Sequence, residues 1–277
     1  MFVSDKIVFI ELQKTGCTHI QKLLSSVVEG AVIGKHNLPA EDLFSRDVCF
    51  VGSIRDPWEW YVSLWAYGCD KKGGVYELVT RARNLKELLV IRDPKRSGIL
   101  LFRELLRMPD EWKSLYTESN DVISFRNWLR RMYAAKYRYD FGEGYGFSPI
   151  HPFAGLLTYR YLLLFCRNTE RLFSKQMNNY STLKAFEESN IYINYIIRNE
   201  NLEDDFIDVL ARCGVTVTDE QKKEIYDAQK TNASSRVHGP EFYYDEETIE
   251  LVAQRERLII EKYGYRPPVI HSDRKST

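Results

Sequence analysis

The stretch from Lys6 to Val28 constrains the fold more than any other part of the chain. Ile7, Val8, Phe9 and Ile10 run together without apolar–polar alternation, as in a strand buried on both faces of a parallel sheet. Lys6 to Leu12 therefore reads as a strand. A polar run, Gln13-Lys14-Thr15-Gly16-Cys17-Thr18-His19, follows it. From Thr18 to Val28 the apolar residues Ile20, Leu23, Leu24, Val27 and Val28 fall on one helical face. A buried strand, a short glycine-containing loop and an amphipathic helix, in that order, open an α/β unit.

The pattern recurs. Val48 to Ile54 (VCFVGSI) is a second core strand, and Pro57 suits the first turn of a helix running through Leu64. Tyr192 to Arg198 is strand-like, Leu202 to Cys213 is helical, and Gly214 is placed to cap that helix. Thr248 to Tyr263 reads as one long amphipathic helix. Strands alternating with helices predict an α/β fold, here a P-loop-like, mostly parallel sheet flanked by helices. Ligands of such sheets lie beyond the carboxyl ends of the strands, so the residues after each strand carry the chemistry.

The 277 residues contain no internal repeat or low-complexity linker and read as a single domain. With 39 basic and 39 acidic residues the formal charge is zero, against a general nucleic-acid binder. Any positive site must be local. Five scattered cysteines (Cys17, Cys49, Cys69, Cys166, Cys213) form neither a metal motif nor a disulfide framework and read as reduced thiols of a cytoplasmic protein. The opening MFVSDKIVFIEL lacks the apolar core and cleavage site of a signal peptide. Leu156 to Cys166 is apolar but holds Arg160 and is too short for a bilayer, so no membrane partner is expected.

The first loop has the parts of an anion cradle. Gly16 lets backbone approach a ligand, the N–H groups of the helix start point at negative charge, Lys14 adds a cation, and Thr15 and Thr18 add hydroxyls. Lys14 precedes the glycine, so the Walker A pattern is absent. A simple strand-to-helix turn would use the same residues. After the second strand, Arg55 stands at the carboxyl end and Ser63 about two turns into the next helix. A guanidinium and a hydroxyl so placed could share a phosphate, although Arg55 could equally pair with Asp56 or Glu59 at the surface.

Together the loops resemble the family of sulfotransferases that use 3′-phosphoadenosine 5′-phosphosulfate (PAPS), in its carbohydrate-type branch. Lys14, Thr15, Gly16, Cys17 and Thr18 fit the family's Lys-Ser/Thr-Gly-x-Thr loop, which leads into His19, and the resemblance implies that this segment binds the 5′-phosphosulfate. Arg55-Asp56-Pro57, with Ser63 eight positions after the arginine, is similar to the segment that holds the 3′-phosphate. IIRNENLEDDF (Ile196 to Phe206), KTNASSR (Lys230 to Arg236), YYDEETIELV and KYGY resemble the family's later segments. The likeness covers roughly residues 6–68 and 190–266. It leaves residues 69–189 as a helical and loop insertion for the acceptor.

The resemblance implies PAPS as cofactor, PAP as product, and no metal. Lys14 then stabilises the leaving phosphate. For the base, the resemblance implies His36 in VIGKHNLP, after a short apolar run that would be a strand, since a histidine near neutral pKa suits proton abstraction. The same residue could equally be a loop histidine with no role. Glu11 is the other candidate and reads rather as orienting the loop. Lys230, Asn232, Ser234, Ser235 and Arg236 either close over the 3′-phosphate or form a solvated turn, and family analogy sets Asn199 at the adenine. The aromatics and glycines between Tyr133 and Phe153 suit an acceptor lid or simply core, with His151 and Asp140 as acceptor contacts. The expected acceptor is a small soluble molecule with a hydroxyl or amine, a sugar precursor or a secondary metabolite such as a guanidinium alkaloid. A nucleotide or small-molecule kinase, or a non-catalytic nucleotide-binding protein, are the alternatives.

Overall fold

The computed structural model describes residues 1–82, 101, 104, 105, 107–228 and 236–270. Lys230, Asn232, Ser234 and Ser235 lie outside the described residues. The chain separates into two compact units. The first draws on Met1–Asp56, Leu157–Glu170 and Ser181–Ala233, the second on Pro57–Leu156, Arg171–Tyr180 and Ser234–Thr277.

The first unit is a mixed α/β body around a five-stranded sheet. Its strands are β1 (Phe2–Ser4), β2 (Ile7–Ile10), β3 (Gly30–Val32), β4 (Cys49–Ile54) and β5 (Tyr195–Arg198), in the order β3-β1-β2-β4-β5. The β2–β4 and β4–β5 pairs are parallel, as the unbroken apolar runs predict, while β1 pairs antiparallel with both β2 and β3. The sheet is thus mostly parallel in strand direction but mixed in its pairing, with β1 the one strand that runs against the others. Its antiparallel side begins where Ser4 Oγ accepts the N–H groups of Lys6 and Ile7 and turns the chain back on itself. The strand expected from Tyr192 is regular only over its last four residues, Tyr195–Arg198.

Helix α1 (Cys17–Val27) buries Ile20, Leu23 and Leu24 in one cluster with Phe9, Val51 and Ile197 of the strands. The helix Leu202–Arg212 adds Phe206, Val209 and Leu210 to the same cluster. Burying each such side chain contributes roughly 1.5–3 kcal/mol, so this apolar stripe anchors the helices that frame the loops. The apolar stretch after Gly155 is the helix Leu156–Phe165. Among the described residues no helix is long and apolar enough to cross a membrane.

The second unit is helical and aromatic. Its helix α2 (Pro57–Cys69) buries Trp58, Trp60 and Trp65, and the helix Val122–Tyr133 buries Phe125 and Trp128. The segment expected as one helix from Thr248 to Tyr263 is two, Glu246–Arg255 and Arg257–Tyr263, interrupted at Glu256. That residue leaves helical geometry (φ −105°, ψ 21°), and its fully buried carboxylate accepts the Tyr61 hydroxyl. A Cβ at Gly155 would come within 1.8 Å of Glu256 Oε1, so only glycine fits beside it.

Candidate functional site

Parallel register places the carboxyl ends of three strands side by side. Ile10 of β2 lies opposite Gly52 of β4, and Ile54 of β4 opposite Arg198 of β5. The residues after each strand therefore emerge along one edge of the first unit: Glu11 to Gly16, Arg55 and Asp56, and Asn199 to Asn201.

The first loop is shaped by its backbone. Lys14 (φ 64°) and Gly16 (φ 81°) both adopt the left-handed region, unusual for lysine and natural for glycine. A Cβ at Gly16 would also stand 2.6 Å from Asn199 Nδ2 and 2.9 Å from Leu202 Cδ1. Gly16 precedes α1, whose first turn has neither a side-chain cap nor an acidic residue. Arg55 reaches across from β4 and donates from Nη1 to the carbonyl of Lys14 at 3.4 Å. Two cations thus belong to one loop at the start of a helix, where the dipole also favours negative charge.

No protein-family model, curated protein or solved structure matches the chain.

Thr15 is fully buried; its hydroxyl donates to the Leu12 carbonyl at 2.7 Å and shares a 2.6 Å hydrogen bond with Ser53 Oγ. Its proton is spent inside the loop, tying it to β4 instead of pointing outward. Cys17 sits in the apolar cluster, where burial, then the charge of Glu11, pushes its thiol pKa up. His19 is buried with Nε2 3.9 Å from Glu203 Oε1 on the helix Leu202–Arg212. Thr18 is half-buried.

Glu11 and His36 come together. The imidazole Nδ1 lies 2.8 Å from the Glu11 carbonyl oxygen. A carbonyl only accepts, so Nδ1 carries the proton, and in the neutral ring Nε2 keeps the lone pair. The Glu11 carboxylate is fully buried, 3.3 Å from the Met1 ammonium, and accepts the His36 backbone N–H at 3.4 Å. It orients the histidine. Two further residues were not singled out in the sequence: Glu200 accepts the Asp56 N–H at 2.6 Å and Asp205 the Arg198 N–H at 2.8 Å, so they hold the neighbouring loops. An acidic run just after a strand was their only signal.

Ser63 and Arg236 belong to the second unit. Ser63 is buried on α2 one turn after Glu59, and Arg236 pairs with the Glu59 carboxylate. Asp140 is buried there too, accepting Trp112 Nε1 at 2.6 Å, a structural role. His151 is buried, its carbonyl held by Arg255 Nη1 at 2.5 Å. Burial, then the charges of Arg255 and Arg138, lowers its pKa to about 4.

Proposed function

We propose that this chain is a cytoplasmic sulfotransferase with a P-loop-like core, moving a sulfuryl group from PAPS to a hydroxyl or amine of a small acceptor. The observation that carries the reading is the loop between β2 and α1. Lys14 and Gly16 bend it into the left-handed region, the helix behind it starts without an acidic cap, and Arg55 of the adjacent parallel strand is bound to it. Such a loop suits a ligand with dense negative charge at the strand ends. These residues fit the phosphates of PAPS, and PAPS supplies the sulfuryl group when bound.

The chain's own residues then divide the work. Lys14 stabilises charge on the phosphate left behind, a role whose benefit is greatest in the transition state. Arg55 offers a planar pair of donors to a second phosphate. His36, with Nε2 as its basic atom, takes the proton that the acceptor's hydroxyl or amine gives up as its bond to sulfur forms. Glu11 positions that ring. Of the loop's two threonine hydroxyls, that of Thr15 is consumed within the loop, which leaves Thr18 for the ligand.

The test is transfer. Labelled PAPS is incubated with the full chain and a panel of small sugars, amines and guanidinium compounds, with γ-labelled ATP in parallel. Label should move from PAPS to an acceptor with release of PAP, and none from ATP. Transfer from ATP instead would replace this reading with a kinase.

A further inference from the structure

The two edges of the sheet are finished differently. At one edge, Tyr195 and Ile196 of β5 are half-buried, Ile197 is buried, and Asp205 accepts the Arg198 N–H at 2.8 Å. At the other edge, β3 is open. Every residue from Glu29 to Lys35 is exposed, the apolar run Ala31, Val32 and Ile33 included. Val32 keeps 53% of its surface and Ile33 48%. An edge strand with unpaired backbone and apolar side chains is a template for another strand, and proteins usually blunt it with a charge or a proline inside the strand. β3 carries neither.

The register shows which backbone groups face outward. Ile33 donates its N–H to the Met1 carbonyl at 2.8 Å, so at this position the hydrogen bonds run toward β1. Antiparallel partners alternate between hydrogen-bonded and non-hydrogen-bonded pairs, and Val32, opposite Phe2, is of the second kind. The N–H and C=O of Val32 therefore point away from β1. Its side chain shares a face with that of Phe2, which belongs to the apolar cluster packed by α1.

We propose that β3 pairs antiparallel with β3 of a second copy of this chain, about a two-fold axis through Val32. The occupant follows from the sequence around the strand, EGAVIGK (Glu29 to Lys35). Pairing centred on Val32 sets Val32 against itself, Ala31 against Ile33, and Glu29 against Lys35. The two Val32 residues exchange both hydrogen bonds, the apolar side chains meet, and opposite charges face each other at both ends of the ladder. Such an interface is isologous and closes on itself, so it stops at two copies. Gly34 (φ 62°) ends the strand and keeps the ladder short. An interface below the usual ~1,200 Å² gives a dimer that dissociates on dilution. His36 follows Lys35, so the ladder borders the segment that docks on the Glu11 carbonyl.

Sedimentation equilibrium of the full chain at rising concentration tests this. The expected result is a monomer–dimer equilibrium without higher species. Glu29→Lys puts like charges at both ends and should raise the dimer dissociation constant about tenfold or more. Adding Lys35→Glu restores opposite charges and should return the constant to near its starting value, a rescue that an interface elsewhere would not show. Val32→Pro removes an N–H that bonds nothing within the sheet, so the monomer should keep its fold, read by circular dichroism, and lose the dimer. A monomer at every concentration, a dimer indifferent to Glu29→Lys and Val32→Pro, or a double variant no better than Glu29→Lys would each overturn the proposal. Glu29 and Lys35 are exposed, so the charge variants decide it even if Val32→Pro folds poorly.

Discussion

The two units differ in where most of their buried polarity sits. In the second, large aromatics carry their polar atoms inward and satisfy them there. All five tryptophans are in this unit and fully buried: Trp65 Nε1 donates to the Leu115 carbonyl at 2.9 Å, and Trp128 Nε1 to the Tyr116 hydroxyl at 2.8 Å. Burial, then the charge of Glu256, pushes the phenols of Tyr61 and Tyr133 well above the ordinary range, so both stay protonated. In the first unit the cluster packed on the sheet is largely aliphatic, buried phenols such as Tyr161, which donates to Glu187 at 2.6 Å, lie outside it, and polarity at the strand ends is held by backbone geometry. The difference separates stability from chemistry. One unit is packed through rings, whereas the other brings Lys14 and Arg55 together at a loop with left-handed backbone.

That separation can be broken by substitution, and the largest effect should come from the aromatic unit. Trp128→Ala removes a buried indole and leaves the Tyr116 hydroxyl short of a donor. It should cost about 3–5 kcal/mol of stability, read by denaturant unfolding followed through tryptophan fluorescence, which reports this unit alone. A loss under about 1 kcal/mol would mean that the rings are not the support described.

Lys14→Ala should do the reverse. Stability should hold while turnover falls about 10²–10³-fold, as for loss of one charge-stabilising donor. The Michaelis constant for PAPS should rise much less. A change confined to that constant would reduce Lys14 to a binding residue.

Arg55→Ala sharpens the division within the site. Loss of an ionised donor should weaken PAP binding by about 1.5–3 kcal/mol, measured by calorimetry, with smaller change in turnover at saturation. Unchanged affinity would remove Arg55 from the ligand.

The smallest effect is in pH. The His151 pKa is lowered to about 4 from 6.5, so below 6.5 the unfolded chain takes up a proton that the folded chain refuses. Its contribution to stability is present above pH 6.5 and is lost as pH falls toward 4. The loss is about 1 kcal/mol over the first pH unit below 6.5. His151→Gln should flatten that part of the stability–pH curve; an unaltered slope would show that His151 is protonated without penalty.

How much of this was legible in the sequence follows the same divide. β2, α1 and β4 could be read because unbroken apolar runs and a 3.6-residue stripe leave few alternatives. The short apolar run before His36 marks β3, but β1 and the antiparallel pairing of the two could not be read, since three-residue strands carry too little pattern. The helix break at Glu256 was hidden because the amphipathic stripe continues across it; a buried carboxylate meeting Tyr61 decides the break, and that contact joins residues far apart in sequence. In the loop, residue types pointed to an anion, but not that Thr15 would turn inward to Ser53 or that His36 would dock on the Glu11 carbonyl. Such pairings depend on register between strands, which local sequence does not encode.

The central claim is that the loop edge of the first unit takes a 3′,5′-bisphosphate nucleotide. Titration of the full chain with PAP and, separately, with ATP, following the unfolding temperature, tests this most directly. PAP at ~100 times its dissociation constant should stabilise the fold by roughly 2.7 kcal/mol, with ATP giving much less and Arg55→Ala reducing the PAP response. Equal stabilisation by the two nucleotides, or none by PAP, would contradict the account.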